Sequence, residues 1–433
     1  MVSRWMCQTP LTLFGCALAL VACADGSRGV STETPWVTSV DSTADTIVMR
    51  ITGAIPEHLI RTLVPELRVG SLDGPDESTF GNILAVRPAL DGGLVVYDQQ
   101  VPAVRLFDAQ GAFVRNIGVK GGGPGEFGHL NGVATLPDGR WILWDASGSR
   151  LNIHAPDGSF ERGVRLATGR TFGQGMLFTD AGGRVYADAV VWRDSADFSR
   201  SQRGLIVLDT AGTVLDTLQY LDWGDPSGVV KAGTPDGGSM TTWYVPFIPS
   251  SATALLRSGG LVSGPSDPYR FYLIPGNGAR PIRIEREHVP VAVLADERAY
   301  WTAQIETAMR SVEPAWRWNG PAIPANKPAY RELEVALDGR IWVQLNTAGE
   351  PIPQAELSPL APDRSPTSRS TTRTRTVYDV YTPSGALLGR VMLPWKTSLS
   401  TSAGDLVWGT ATDSLDVPYA VRFRIEPPLP DRP

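Results

Sequence analysis

Short apolar segments along the chain alternate with glycine-containing turns. Residues Asp91–Asp98 read Asp-Gly-Gly-Leu-Val-Val-Tyr-Asp, and Asp138–Asp145 has the same pattern. Six such segments share a glycine turn followed by β-branched or aromatic residues; they begin at Asp91, Asp138, Ala181, Ser258, Asp338 and Ala403. A tight glycine turn that leads into such residues is typical of a β-hairpin.

A second family of turns lies between the members of the first. Its members sit between two apolar segments; they are Asp108–Gly111, Ala155–Gly158, Asp209–Gly212, Pro275–Gly278 and Thr382–Gly385. Two hairpins per unit give four strands per unit, and the first three units begin 47 and 43 residues apart. This spacing is typical of one propeller blade. The pattern therefore predicts an all-β protein, a six-bladed β-propeller of four-stranded blades.

The sixth unit has no outer strand of its own, because the chain runs into Pro-Pro-Leu-Pro after Glu426. Near the N-terminus, Thr46–Thr52 alternates apolar and mixed positions and belongs to no unit. An open sheet edge invites aggregation. We therefore predict that this N-terminal strand pairs with Tyr419–Glu426 and closes the ring.

The densest glycine stretch, GGGPGEF at Gly121–Phe127, does not fit a nucleotide-binding loop. It lacks the glycine spacing of a dinucleotide fingerprint, and the nearby Lys120 precedes the glycines instead of coming after them. Together with the downstream segments Asn131-Gly-Val-Ala and Asp138-Gly-Arg, this stretch resembles NHL-type six-bladed β-propellers and bacterial propeller lipoproteins of unassigned function. The resemblance is strongest over residues 65–170 and continues to about residue 425. It implies that the glycine loop joins the outer strand of one blade to the inner strand of the next, with Phe127 packed between blades.

Two insertions interrupt the later blades. Residues Asp296–Arg310 predict a helix between blades 4 and 5, with Asp296 as the N-cap. Its apolar stripe, which packing explains better than a lid, is Trp301, Ile305, Ala308, Met309 and Val312. Pro351–Thr376 is rich in Pro, Ser, Thr and Arg, and we expect a mobile loop whose role stays open.

The first 22 residues have the features of a signal peptide, with a short apolar run at Leu11–Ala22. This run ends in Leu-Val-Ala-Cys23, which resembles the lipobox of bacterial lipoproteins and implies lipidation of Cys23. An ordinary signal peptide with a chance cysteine is the alternative. We expect residues 23–44 to form a polar tether, residues 45–428 to form the propeller, and the protein to lie at the cell envelope, on the periplasmic or outer-membrane face.

The charge and the cysteine content limit the classes of partner that the sequence predicts. The net charge of −6 and the absence of a basic run argue against nucleic-acid binding. The chain has three cysteines, Cys7, Cys16 and Cys23, so cleavage before Cys23 leaves one thiol and no disulfide. We expect a monomer that is attached to a membrane through Cys23.

No hydrolase motif is present, and the resemblance implies two kinds of metal enzyme, zinc lyases and divalent-cation lactonases. The chain has four histidines, and His129 alone lies near the start of a predicted inner strand. We therefore expect no bound metal and no cofactor. Asp98, Asp145 and Asp188 recur at one repeat position. A carboxylate ring is one interpretation, but repetition in successive blades favours a structural role in which each aspartate accepts backbone N–H groups.

Residues that break the repeat are the better candidates for a ligand site. They lie around blades 4 and 5 and combine aromatic with basic side chains: Trp243, Tyr244, Trp316, Trp318, Lys327 and Arg331. Such residues suit a sugar, a peptide or an anion, although packing over the core beneath the inserted helix explains them better. The sequence thus predicts an envelope lipoprotein whose propeller binds a small molecule, a glycan or a protein partner. The alternative is a metal-dependent hydrolase or lyase that acts in the central tunnel.

Overall fold

The computed structural model describes residues 36–43, 45–166, 172–192, 202–224, 228–234, 237–357 and 369–430. The predicted signal peptide, Cys23 and most of the predicted tether lie outside these residues. The described end of the tether region forms a strand, Val37–Ser42, which pairs with Ile47–Thr52.

Three strands precede the repeat units: β1 (Val37–Ser42), β2 (Ile47–Thr52) and β3 (Ile60–Val69). Blade 1 contains β4 (Ile83–Pro88), β5 (Leu94–Asp98), β6 (Ala103–Phe107) and β7 (Phe113–Val119). Blade 2 contains β8 (Leu130–Thr135), β9 (Trp141–Asp145), β10 (Arg150–His154) and β11 (Phe160–Arg165). Blade 3 contains β12 (Phe172–Thr179), β13 (Val185–Trp192), β14 (Gln202–Leu208) and β15 (Val214–Gln219).

The second half contains the insertions. The hairpin β16 (Val229–Gly233) and β17 (Met240–Tyr244) precedes blade 4, which contains β18 (Ser251–Leu255), β19 (Leu261–Pro265), β20 (Arg270–Ile274) and β21 (Ile282–Arg286). Between blades 4 and 5 lie β22 (Val291–Ala292), helix α1 (Ala295–Val312) and β23 (Asn326–Lys327). Blade 5 contains β24 (Tyr330–Val335) and β25 (Ile341–Leu345), then the inserted pair β26 (Gly349–Pro351) and β27 (Thr372–Thr374), and then β28 (Val377–Tyr381) and β29 (Leu387–Met392). Blade 6 begins with β30 (Thr397–Ala403), β31 (Leu406–Thr412) and β32 (Pro418–Glu426). Short 3-10 turns lie at Glu57–Leu59, Asp76–Ser78 and Gln354–Glu356.

These sheets confirm the six-bladed β-propeller. Within each blade the strands pair antiparallel in chain order, so the first strand of each blade is the innermost one. Large apolar side chains pack within and between the blades and form the core, with Trp141, Tyr186 and Phe271 among the fully buried ones.

An N-terminal strand does close the ring, but it is β3 and not Thr46–Thr52, so that part of the prediction was wrong. Strand β3 pairs antiparallel with β32 from Thr62 opposite Glu426 to Val69 opposite Ala420, and becomes the outer strand of blade 6. Strand β2 instead pairs parallel with β21 of blade 4, and β1 adds beyond it. Burial explains the choice, since Ile51 of β2 packs in the core cluster that blades 4 and 5 share.

The glycine loop lies where the resemblance implies, between β7 of blade 1 and β8 of blade 2. Gly125 has a φ of 79°, which favours glycine, and the Glu126 carboxylate accepts the Gly123 N–H at 2.7 Å. Phe127 is buried and makes an edge contact with Tyr97, with ring centroids 6.4 Å apart. The loop therefore serves the crossing between blades.

The predicted helix is confirmed, but Asp296 is not its N-cap. Helix α1 begins at Ala295, and the backbone N–H of the preceding Leu294 donates to Glu297 Oε2 at 3.0 Å. The apolar stripe packs against the β16–β17 hairpin, with Ile305 and Met309 fully buried. In the segment 351–376, the ends pair as β26 and β27, and residues 358–368 lie outside the described ones.

All the insertions emerge from one end of the blades. They lie in the connections from β15 to β18, from β21 to β24 and from β25 to β28. Because successive strands run in opposite directions, these three connections lie at the same end of the blades. We call residues 228–250 and 291–327 the cap, since one hydrophobic cluster joins them. The turns that come after the innermost strands lie at the opposite end.

Candidate functional site

The innermost strands β4, β8, β12, β18, β24 and β30 surround a cavity of about 750 Å³ on the axis of the ring. It extends from Ser251 and Arg331, at the start of their strands, to Leu90, Pro137 and Leu337 in the turns after the innermost strands. Leu90 and Leu337 are exposed to solvent. The cavity is therefore accessible at the end of the blades opposite the cap.

Most of the cavity wall is apolar. Its larger apolar side chains come from several blades; they include Leu136, Phe178, Leu255, Leu333, Val335 and Leu399. Seven serine and threonine residues are interspersed among them: Thr135, Thr179, Ser251, Thr253, Ser400, Thr401 and Ser402. A mostly apolar wall with interspersed polar groups is typical of sites for small organic ligands.

Two charged residues of the wall occupy equivalent positions in their blades. Arg87 in β4 lies opposite Val95, and Glu334 in β24 lies opposite Trp342. Val95 and Trp342 are each the second residue of the second strand of their blade. The Nη1 group of Arg87 donates to the carbonyl oxygens of Val86 and Ser400, each at 3.1 Å. For its Nε and Nη2, the described part of the chain provides no acceptor.

Among the described residues, Glu334 has one hydrogen-bond partner, the hydroxyl of Tyr378, which donates to Oε1 at 3.1 Å. Burial, helped by the negative charge of Glu332, raises the pKa of Glu334 to about 7, and the Tyr378 hydrogen bond and the charge of Arg87 oppose this rise. Burial also lowers the pKa of Arg87, an effect that the negative charge of Glu334 opposes. At a pKa of about 7, the carboxyl of Glu334 is partly protonated near neutral pH. Its Oε2 has no partner among the described residues.

Three more charged residues line the cavity. Arg257 donates from Nη1 to the carbonyl oxygen of Thr179, while its Nε is buried without an acceptor in the described structure. Arg331 and Glu332 are exposed at the other end of β24, and no described residue pairs with either. Arg331 is thus the one residue of the predicted ligand set that reaches this cavity.

The predicted tryptophans lie in the cap. Trp316 is 2% exposed, and its indole N–H donates to the carbonyl oxygen of Lys231 at 2.8 Å. The indole of Trp318 donates to Pro321 at 2.8 Å. Trp243 is partly buried in the same cluster. These three side chains pack beneath helix α1, in agreement with the packing interpretation.

Lys327 and Tyr244 differ from each other in exposure. Lys327 is 3% exposed, and its ammonium group lies 2.6 Å from Glu297 Oε1 and donates to the Thr347 carbonyl at 3.0 Å. The same ammonium lies 5.2 Å from the ring centroid of Phe247. Tyr244 is 78% exposed on β17. The Lys327 ammonium is therefore engaged within the protein, whereas the Tyr244 side chain is accessible.

Asp98 confirms the structural role predicted for the repeated aspartates. Its carboxylate is fully buried and accepts the backbone N–H groups of Gly81, Asn82 and Gln100 at 2.9–3.0 Å. These bonds tie the end of the second strand to the start of the first.

Asp145 does the same in blade 2, where it accepts the N–H groups of Gly128 and His129 and pairs with Arg150 at 3.1 Å. Asp188 differs, because its partners are side chains, Arg203 at 2.7 Å and the hydroxyl of Tyr220, and burial raises its pKa.

The described residues contain no ligand set of the kind that a metal enzyme requires. No group of three or more His, Cys, Asp or Glu side chains within them is arranged to hold a metal ion. His129 contributes its backbone N–H to Asp145 and does not line the cavity. Of the helices in the described structure, none is long and apolar enough to cross a membrane.

Comparison with known proteins supports the fold. A family model described as a 6-bladed beta-propeller matches residues 63–148. No curated protein matches the chain. Among solved structures, a putative exported protein from Bacteroides fragilis NCTC 9343 shares 12% identity at a TM-score of 0.46, over 88% of this chain and 99% of that one.

Two further solved structures are similar at the same level. A member of the DUF4221 family from Bacteroides vulgatus ATCC 8482 shares 11% identity at a TM-score of 0.43, over 86% of this chain and 99% of that one. A putative gluconolactonase shares 15% identity at a TM-score of 0.38, over 86% of this chain and 97% of that one. At these identities and TM-scores, neither name indicates an activity for this chain.

Arg87 and Glu334 were absent from the candidates that the sequence predicted. A signal was present, since each places a charge shortly before a glycine turn, where the equivalent residues Ala134 and Ala254 are apolar. Charges on an innermost strand that the repeat does not require are candidates for a tunnel site.

Proposed function

We propose that this chain is a cell-envelope binding module whose β-propeller holds a small molecule in the axial cavity. The observation that carries the proposal is the cavity of about 750 Å³, in which Arg87 and Glu334 retain unused hydrogen-bonding atoms. Ligand cavities commonly measure about 300–1,000 Å³. Charged groups in an enclosed space destabilise a protein unless they are paired, and a ligand would supply that pairing.

A cavity-filling variant tests this proposal. Ala254 lines the cavity, and Ala254→Phe should fill part of it, whereas Ala112→Phe adds the same side chain at an exposed turn and serves as the control. We would measure melting temperatures with a panel of monosaccharides, hydroxy acids, amino acids and short fatty acids. A compound that stabilises the wild type and Ala112→Phe but not Ala254→Phe would support the proposal. Stabilisation that persists in Ala254→Phe, or none in any protein, would contradict it.

We also propose that lipidated Cys23 attaches the module to a membrane of the cell envelope. Support comes from the lipobox-like Leu-Val-Ala-Cys23 and from the resemblance to propeller lipoproteins. Acyl chains contribute about 0.8 kcal/mol per buried methylene, so several chains give nearly irreversible attachment. Cys23→Ser should release a folded propeller from the membrane fraction. A wild-type protein that is freely soluble and begins at another residue would exclude the anchor.

The alternative, a metal-dependent hydrolase or lyase, has less support. It would need acids or histidines from different blades around one point, whereas the two carboxyl groups of the described cavity wall, Glu332 and Glu334, both come from β24. Chelation with EDTA should therefore change the free energy of unfolding by less than about 1 kcal/mol, since structural metals contribute far more. A larger decrease would favour the alternative.

A further inference from the structure

We propose that the cavity selects an amphipathic carboxylate, a molecule with an apolar body and one carboxylate group that binds Arg87. This proposal rests on the proposed function and names the chemical class of the ligand.

The charges of the cavity wall favour an anion. Three arginines, Arg87, Arg257 and Arg331, and two glutamates, Glu332 and Glu334, line it. Arginine stays protonated in proteins, whereas burial raises the pKa of Glu334 to about 7. At neutral pH the wall thus carries an excess of positive charge, which a single carboxylate would offset.

The geometry of Arg87 favours a carboxylate over a less directional anion. Its Nη1 is held by the carbonyl oxygens of Val86 and Ser400, which fixes the plane of the guanidinium. The remaining N–H groups on Nε and Nη2 form a planar fork, and such a fork donates two parallel hydrogen bonds to a carboxylate. In its protonated form, Glu334 adds a donor on the same wall.

The rest of the wall determines the body of the ligand. Between the charged groups most of the lining is apolar, with the side chains of Phe178, Val335 and Leu399 among it, and serine and threonine hydroxyl groups lie between them. An alkyl or aromatic body gains by burying its apolar surface.

Calorimetric titration of the full chain with three matched probes tests the proposal. Octanoate has both the body and the charge, octanamide has the body without the charge, and acetate has the charge without the body. We expect octanoate to bind at least about tenfold more tightly than either of the others, since one charge-assisted bidentate contact is commonly equivalent to a tenfold change or more.

Substitutions of Arg87 test whether this residue contacts the carboxylate of octanoate. Arg87→Gln should reduce octanoate affinity about tenfold or more without affecting octanamide, whereas Arg165→Gln, at an exposed position of β11, should leave both unchanged. Arg87→Lys keeps the charge but loses the fork, and should give an intermediate affinity. This second variant keeps the test decisive if Arg87→Gln does not fold.

The outcomes separate this proposal from the proposed function. If octanoate shows no preference over octanamide and acetate, or keeps its affinity in Arg87→Lys and Arg87→Gln, the carboxylate proposal is overturned. In that case a neutral compound whose binding Ala254→Phe abolishes would still support the cavity as the binding site. If no compound binds in a way that depends on Ala254, the proposed function fails as well.

Discussion

Replacement of Glu334 by glutamine should make the protein more stable above neutral pH. Glu334 lies in the cavity wall with Tyr378 as its partner, and burial raises its pKa from 4.5 to about 7. Burial disfavours the charged carboxylate, so ionisation of this group in the folded state destabilises the fold. Glutamine keeps an oxygen that can accept the Tyr378 hydroxyl but cannot ionise.

The magnitude and sign of this stability change follow from the linkage between proton binding and unfolding. Between pH 4.5 and about 7 the folded state holds the Glu334 proton and the unfolded state has lost it, so the free energy of unfolding falls as pH rises through this window. The contribution is constant below the window and constant again above it. The full difference corresponds to about 3 kcal/mol, which is an upper bound because water in the cavity screens the charge.

Urea unfolding of the wild type and Glu334→Gln at several pH values between about 4 and about 8 measures the effect. The difference between the two proteins cancels the titration of the other acids. It should grow in favour of the variant by up to about 3 kcal/mol across the window. Glu57→Gln, at an exposed position in a short 3-10 turn, should show no such growth. A difference that does not change with pH, or one that favours the wild type at high pH, would refute the reasoning.

Three further predictions concern the fold. Asp145→Ala should destabilise the protein by about 3 kcal/mol in chemical unfolding, because it removes the hydrogen bonds that the buried carboxylate accepts from the Gly128 and His129 N–H groups. Asp145→Asn should destabilise it less. Lys327→Met should lower the free energy of unfolding by about 3–5 kcal/mol, because it leaves the buried charge of Glu297 without its partner. The double variant with Glu297→Leu should regain much of this stability, and additive losses from the two substitutions would contradict the prediction. A chain that begins at Ile55 should keep a closed ring, whereas one that begins at Gly70 lacks β3 and should aggregate in light scattering; equal behaviour of both chains would count against β3 as the closing strand.

The blades could be predicted because their signals are local. Each depends on a glycine turn such as Asp138-Gly-Arg, whose backbone requires glycine, followed by a few apolar residues. The closing strand was assigned wrongly because its signal is weaker. Strand β3 carries Pro65 and Glu66 at a register shift, which interrupts the alternation of apolar residues, whereas Thr46–Thr52 alternates clearly but pairs with blade 4. Alternation indicates a strand, but it does not specify its partner.

The candidate site was harder to predict because it is formed by residues distant in sequence. Arg87 and Glu334 line the same cavity only when blades 1 and 5 are placed around the axis. The charge that each places before a glycine turn marks its position within its blade, but it does not indicate that the two residues share a cavity. The aromatic residues of the insertions were predicted as ligand-binding candidates because they break the repeat. The structure shows that a helix inserted between blades needs its own core, and Trp316 provides part of it.

The separation of cap and cavity bears on how this propeller could acquire specificity. The cap occupies the end of the blades where the long connections lie, and none of its described residues lines the cavity. At the opposite end, Leu90 and Leu337 of the short turns are exposed lining residues. Short turns tolerate few insertions without loss of the hairpin, so selectivity at this end depends on side chains of the innermost strands. Substitutions in the cap, such as those of Lys327, should therefore alter stability without altering ligand preference, while substitutions of Arg87 should mainly alter preference.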